Sequence, residues 1–162
     1  MKKLSSFLLP LTIAFLINGI IACTSHMQKY RGKMIDPDSR IDLLEEGSQE
    51  GIWQPFDLRL EYQYERSDNI LLLSGNVQLS QFYSDIYPYL KNFYLYLFFI
   101  NKEGKILDNK RIVNAISSDV NDRFPFKQKL TIPSNTVYIS FGYDGQVGSL
   151  SGGDFFSNYP WN

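Results

Sequence analysis

From Phe56 to Glu65 the chain alternates without a break, with Phe56, Leu58, Leu60, Tyr62 and Tyr64 on one side and Asp57, Arg59, Glu61, Gln63 and Glu65 on the other. Successive side chains of an extended strand point to opposite faces, so this period of two specifies a strand with one buried and one wet face. Ser67-Asp68-Asn69 supplies turn residues, and Ile70 to Leu79 returns with Leu71, Leu73, Val77 and Leu79 on one face and Gly75 as a candidate bulge. An antiparallel hairpin is therefore predicted, and its apolar face needs a second layer to pack on.

The remaining segments supply that layer. Phe93 to Ile100 is apolar on both faces, and Asn101-Lys102-Glu103-Gly104 turns it into a strand from Lys105 to Val113. The connection from Ser80 to Asn92 carries Pro88 and the aromatics Phe82, Tyr83, Tyr87 and Tyr89, with room for a helical turn, and Asn114 to Asp122 reads as a polar loop. Phe124, Phe126, Gln128, Leu130 and Ile132 alternate again. Pro125 cannot donate to a ladder and places that strand at an edge. After Pro133-Ser134-Asn135, Val137, Ile139, Phe141 and Tyr143 form a sixth strand. Gly145 to Gly153 is flexible in composition, and Phe155-Phe156 and Tyr159-Pro160-Trp161 are expected to pack back on the domain. Upstream, Asp36-Pro37 resembles a helix start, Ile41 and Leu44 lie three apart and Gly47 could close a short helix, so residues 36–55 read as a helix or capping segment.

These observations predict an all-β fold, an antiparallel β-sandwich of about six or seven strands with a short N-terminal helix; a small closed barrel is the alternative. Strand count and spacing are similar to the immunoglobulin and fibronectin type III class in architecture only. The Cys pair and the buried Trp of the third strand are missing.

The N-terminal stretch carries a second resemblance. Lys2 and Lys3 precede an apolar run from Leu4 to Ile21, the arrangement of an export signal. The run ends in Ile20-Ile21-Ala22-Cys23, which resembles the lipobox of bacterial lipoproteins, where the cysteine is lipidated and becomes the mature N-terminus. The competing reading is an uncleaved membrane span, for which the run is long enough, although Pro10 and Asn18-Gly19 interrupt it. The resemblance implies removal of residues 1–22 and a covalent lipid on Cys23 as the membrane anchor, with no other cofactor. Several acyl chains at about 0.8 kcal/mol per buried methylene would make such anchoring stable. Thr24, not Asp, follows the cysteine, which by the Gram-negative sorting pattern implies an outer-membrane lipoprotein facing the periplasm or the cell surface. Residues 23–35 are polar and mixed in charge and read as a tether, leaving residues 56–162 as the sandwich domain.

Composition narrows the chemistry. Without residues 1–22, Lys plus Arg falls from 16 to 14 against 17 acids, and this weak acidity does not suggest nucleic acid as a partner. His26, the single histidine, lies in the tether and Cys23 is the single cysteine, so neither a Ser-His-Asp or Cys-His mechanism nor a His-based zinc site can be assembled within the domain. Gly148-Ser149-Leu150-Ser151-Gly152 has the glycine spacing of a nucleophile elbow with Leu150 at the serine position. Asp57, Glu61 and Glu65 share a strand face, which suits either an ordinary solvated face or paired carboxylates acting on a glycan. Asp119, Asn121 and Asp122 offer oxygen ligands for calcium without the glycine or distal Glu of an EF-hand. No catalytic residue and no metal site is assigned.

A sandwich strand needs only one apolar face, yet Tyr94, Tyr96, Phe98 and Ile100 oppose Phe93, Leu95, Leu97 and Phe99, and Ile70 and Leu72 add to the excess. Either Tyr94, Tyr96 and Phe98 form a binding face, or the chain covers them itself with Ile41, Leu43, Leu44, Ile52 and Trp53, or with the 80–92 connection. The functional expectation is a membrane-anchored lipoprotein whose non-catalytic sandwich serves as a binding or envelope-assembly module for a protein or glycan. The alternatives are a carbohydrate-active enzyme using paired carboxylates and a structural subunit of a larger envelope complex.

Overall fold

The structure, a computed structural model, describes residues 29–150 and 152–161. The export signal, the lipobox, Cys23 and His26 lie outside the described residues. In chain order the strands are β1 (Ile41–Asp42), β2 (Gly47–Trp53), β3 (Leu58–Ser67) and β4 (Ile70–Leu79), then, after helix α1 (Gln81–Ile86), β5 (Tyr89–Ile100), β6 (Ile106–Asp119), β7 (Arg123–Thr131), β8 (Tyr138–Gly148) and β9 (Phe155–Asn158). They form two antiparallel sheets. One runs β2-β3-β4-β7; the other runs β1-β8-β5-β6, with β9 also pairing with β8. The fold is thus an all-β sandwich, as the alternation predicted, and the two separate sheets rule out the closed barrel.

The β3–β4 hairpin is in the predicted register, from Leu58 opposite Leu79 to Ser67 opposite Ile70, and Asp68 takes the left-handed turn conformation at φ 53°. Leu58, Leu60, Tyr62 and Tyr64 are buried while Arg59, Glu61, Gln63 and Glu65 face solvent. Facing them across the layer are Leu90, Phe93, Leu95, Leu97 and Phe99 of the central strand β5, each fully buried. A fully buried side chain of this size contributes about 1.5–3 kcal/mol, so these rows carry much of the stability. Pro125 stands opposite Asn76 on β7, an edge strand as predicted.

Gly75 is not a bulge, because the ladders on both sides of it run unbroken. It is a close-approach position in a core row that reads Gly51, Tyr62, Gly75, Phe126 across the sheet. A Cβ there would stand 2.8 Å from Phe126 Cζ, so the glycine makes room for the ring. Register shifts fall instead within β5, between Leu95 and Tyr96 on the β6 side and between Leu90 and Asn92 on the β8 side.

Four expectations are corrected. The helix over residues 36–46 is one 3-10 turn, Pro37–Ser39, followed by β1. Asp36 makes no side-chain cap, and Arg40 instead donates through Nη2 to the Ile35 carbonyl at 2.6 Å. The decisive spacing is Ile41 and Leu43, two apart, of which Leu43 is buried while Leu44 stays exposed. The polar loop over residues 114–122 is mostly strand: β6 continues to Asp119 because Ala115 and Val120 still face the core. Gly145 to Gly148 belongs to β8, where Gly145 lies beneath the Phe156 ring, so this part of the 145–153 segment is not a loose connection. Finally, the tether does not extend to residue 35. Tyr30 and Ile35 are buried, Gly32 N–H donates to the Ile106 carbonyl at 2.9 Å, and Ile35 N–H donates to that of Gly104 at 2.9 Å.

Candidate functional site

The excess apolar face of β5 is covered from within the chain. Phe98 is completely buried. Tyr30 packs on it with ring centroids 5.5 Å apart, and Trp161 lies 5.3 Å away edge-on. Together with Ile35, Ile100 and Ile106, and with Tyr96, Tyr138 and Tyr159 at the margin, these residues form a second small core outside the sandwich. Tyr159 donates to Asp144 and shares a 3.0 Å hydrogen bond with the Tyr30 hydroxyl. Burial, reinforced by Asp144, raises the pKa of both Tyr96 and Tyr159. Tyr94 stays half-exposed with the Arg111 guanidinium 5.2 Å from its ring centroid. Of Tyr94, Tyr96 and Phe98, Phe98 is thus covered within the chain, Tyr96 is partly covered and Tyr94 stays half-exposed. The cover also differs from the one expected: Ile41, Leu43 and Trp53 pack into the main core, and the covering side chains come from Tyr30, Ile35 and the C-terminal tail. The tail was expected to pack back. Tyr30 and Ile35 carry no periodicity that could have shown their role.

Several exposed large apolar side chains lie near the end of the sandwich where β3 and β5 begin and β4 and β8 finish, while Ile52 and Ile116 are exposed elsewhere. Phe56 is 76% exposed and Phe155 82%, and Phe82, Ile86 and Leu150 are exposed with them. Phe56 and Phe82 touch, with ring centroids 5.7 Å apart. Beneath this tip is a polar frame. Asp57 accepts hydrogen bonds from Tyr83 of α1 at 2.7 Å and from the buried Tyr143 of β8, joining both sheets to the helix. Tyr87 donates to Asp154, and Tyr89 donates to the Ser149 carbonyl at 3.0 Å. Desolvation and then the Asp57 carboxylate raise the pKa of Tyr83 and Tyr143, and the bond to Asp154 raises that of Tyr87. The loops are thus held by tyrosine–carboxylate bonds while their phenylalanines face water, as in preformed contact surfaces. Asp85, Asp119, Asp122 and Asp154 are exposed at this end against Arg123, half-exposed Lys91 and exposed Arg59, the last paired with Glu61, which leaves the tip weakly acidic.

This arrangement corrects the shared carboxylate face. Asp57 precedes β3 and turns inward to two tyrosine hydroxyls, away from Glu61 and Glu65. Glu61 pairs with Arg59 at 2.9 Å on the outer face of the four-stranded sheet. That face holds a groove of about 860 Å³ lined by Glu50, Ile52, Glu61, Gln63, Asn76 and Lys127 among others. An adjoining one of about 380 Å³ reaches Glu65 and the exposed Leu72. The Asp119 carboxylate accepts from Asn121 N–H at 2.8 Å and from the Asn121 amide at 3.1 Å, and Asp122 accepts from Asp119 N–H at 3.1 Å. These oxygens close the β6–β7 turn on itself, and among the described residues no group of three or more His, Cys, Asp or Glu side chains converges on a cation position. No helix among the described residues is long and apolar enough to cross a membrane.

Comparison with known proteins adds no relative: no family model, no curated protein and no solved structure matches the chain.

Proposed function

We propose that the chain is a membrane-anchored lipoprotein, held through a lipid on Cys23, whose β-sandwich is a non-catalytic binding or envelope-assembly module. The supporting observation is the tip, where Phe56, Phe82, Ile86, Leu150 and Phe155 are exposed on segments fixed from below by Asp57 and Asp154. Leaving such side chains in water forgoes about 1.5–3 kcal/mol for each large one. A surface of this kind supports docking to a protein of the cell envelope, with the aromatics as anchors in apolar pockets and the weakly acidic surround favouring a basic one.

Photocrosslinking in cells tests the proposal. A benzoylphenylalanine at position 155 or 56 is expected to give one discrete adduct, and the same probe at Thr131, on the exposed β7 edge at the opposite end, none. Cys23→Ser should release the protein from the membrane fraction and weaken the adduct. Equal adducts from all three positions, or none from any, would reject the tip as the docking surface.

A further inference from the structure

The end of the sandwich opposite the tip carries a different surface. Residues 32–35 run beside the start of β6: Gly32 N–H donates to the Ile106 carbonyl, Ile106 N–H to that of Lys33, and Met34 bridges to Lys105. This pairing places Lys29, Arg31 and Lys33 next to Lys102 and Lys105 of the β5–β6 turn, and all five are exposed. Glu103, 3.8 Å from Lys102, is the one acid within segments 29–35 and 101–106. Asp36, Asp38, Asp42, Glu45 and Glu46 follow in the chain through the 3-10 turn and β1 toward β2, Asp68 lies in the β3–β4 turn at the same end, and Asp108 is paired with Lys110 at 2.8 Å. Half-buried Trp161 lies within the basic group, with the Lys33 ammonium 4.5 Å from its ring centroid, and exposed Met34 adjoins it. Ammonium groups around a Trp and a Met suit the polar–apolar boundary of a bilayer.

We propose that this facet docks on anionic phospholipid headgroups of the leaflet that holds the Cys23 lipid, and so sets the orientation of the whole domain. The inference rests on the anchoring reading above. Three features favour a bilayer as the occupant. Charge complementarity is one, since each Lys or Arg near an anionic surface raises affinity about fivefold. Chain length is the second: from Cys23 to Lys29 the backbone reaches at most about 20 Å, so an anchored lipid keeps this end at the surface. The third is position. β5 runs from Tyr89 at the tip to Ile100 beside the basic facet, 12 residues, or about 40 Å at the rise of a strand. Docking by the facet therefore presents Phe56 and Phe155 away from the membrane, where a partner can reach them.

The experiment uses the lipoprotein purified from membranes and reconstituted into vesicles, either of phosphatidylcholine alone or of phosphatidylcholine with phosphatidylglycerol. Trp53→Phe leaves Trp161 as the one tryptophan, and a headgroup spin-labelled lipid quenches it on contact. We expect quenching in the anionic vesicles, its absence in the neutral ones, and its loss at high salt. Lys29→Glu/Arg31→Glu/Lys33→Glu should also abolish it; because Lys29 and Lys33 also stack on Tyr30 and Trp161, Arg31→Glu/Lys102→Glu/Lys105→Glu, which leaves those contacts in place, should do the same. Hydrogen exchange of unsubstituted protein gives a second readout, with slowing of residues 29–36 and 101–106 in anionic vesicles only. Equal quenching and exchange in both vesicle types, or quenching that survives either triple reversal, overturns the facet. Anchoring is scored separately by the mass of the N-terminal peptide: without a lipid increment on Cys23 the anchoring reading fails, and with one the vesicle result judges the facet alone.

Discussion

Tyr30→Ala asks whether residues 29–35 are domain or tether. Tyr30 is 4% exposed, and its ring centroid lies 5.8 Å from Tyr96, 5.5 Å from Phe98, 5.5 Å from Tyr159 and 5.3 Å from Trp161. Truncating a buried aromatic to alanine costs about 3–5 kcal/mol, and each aromatic pair adds about 0.5–1.5 kcal/mol beyond area. These contributions are not additive here, since four rings share one neighbour. There is also a ceiling. The segment lies at one end of the described chain, so it can peel off and leave the sandwich standing, which caps the loss at the free energy of docking it. We expect about 3 kcal/mol, at the lower end of the truncation range.

Urea unfolding of the chain from residue 24 in a Trp53→Phe background, followed by circular dichroism and by Trp161 emission, separates the two routes. A lower midpoint at constant slope reports global destabilisation, whereas a lower slope reports a segment already detached in the native state. Tyr30→Phe removes only the hydroxyl bonded to Tyr159, which keeps Asp144 as acceptor, so its cost should be about 1 kcal/mol. Leu44→Ala, at an exposed position, should stay within about 0.5 kcal/mol. If Tyr30→Ala matches Leu44→Ala and Trp161 emission is unchanged, the second core contributes nothing and the reasoning is wrong.

Other outcomes follow from the same geometry. Gly75→Ala should destabilise by about 1–3 kcal/mol through overpacking against Phe126 and the Glu61 carbonyl, and a melting temperature equal to wild type would contradict this. Tyr83, Tyr96, Tyr143 and Tyr159 titrate above the ordinary 10.0 in the folded state. The unfolded chain therefore releases their protons first, and stability held below that pH is lost as pH rises above it. Tyrosinate absorbance should lag in these four and appear together with unfolding; a single unperturbed titration of all tyrosines would count against the buried hydroxyl network. Asp57→Asn keeps the shape but weakens two charge-assisted bonds, and should lower stability by about 1.5–3 kcal/mol. Phe56→Ala and Phe155→Ala, both exposed, should leave stability within about 0.5 kcal/mol while removing the crosslinked adduct.

Where period two was clean, sequence and fold agree: β3, β4, the edge position of β7 and the β5–β6 turn were all legible. Misreadings arose where a side chain's partner is distant in sequence. Ile41 and Leu44 matched a helical spacing, but Ile139 stands opposite Ile41 across a ladder invisible in local pattern. Asp57 matched the parity of Glu61 and Glu65, yet its orientation is set by Tyr143, 86 positions away. The apolar excess on β5 correctly signalled a covering layer. Its identity was hidden because Tyr30 is one aromatic in a polar run, 129 positions from its partner Tyr159. The tip was unreadable for a related reason: Phe56 begins an alternating strand pattern in sequence, but the strand starts at Leu58 and Phe56 is left in water.

Folding of residues 29–35 changes what an anchor on Cys23 would do. A tether of roughly a dozen flexible residues has an r.m.s. reach of about 20 Å, enough for the domain to tumble above the surface and sample every orientation. With Tyr30 fixed under Trp161 and Gly32 bonded to Ile106, residues 29–35 belong to the domain and only residues 24–28 separate it from Cys23. The fully extended limit of that link, about 20 Å, is half the length of β5 at about 40 Å, so the domain cannot stand inverted with its tip against the anchored leaflet while the second core is intact. Tyr30→Ala therefore tests orientation as well as stability. By releasing the segment it should widen the range of orientations to include the inverted one, and contact of Phe155 with a spin-labelled lipid of the anchoring leaflet should increase over the unsubstituted protein.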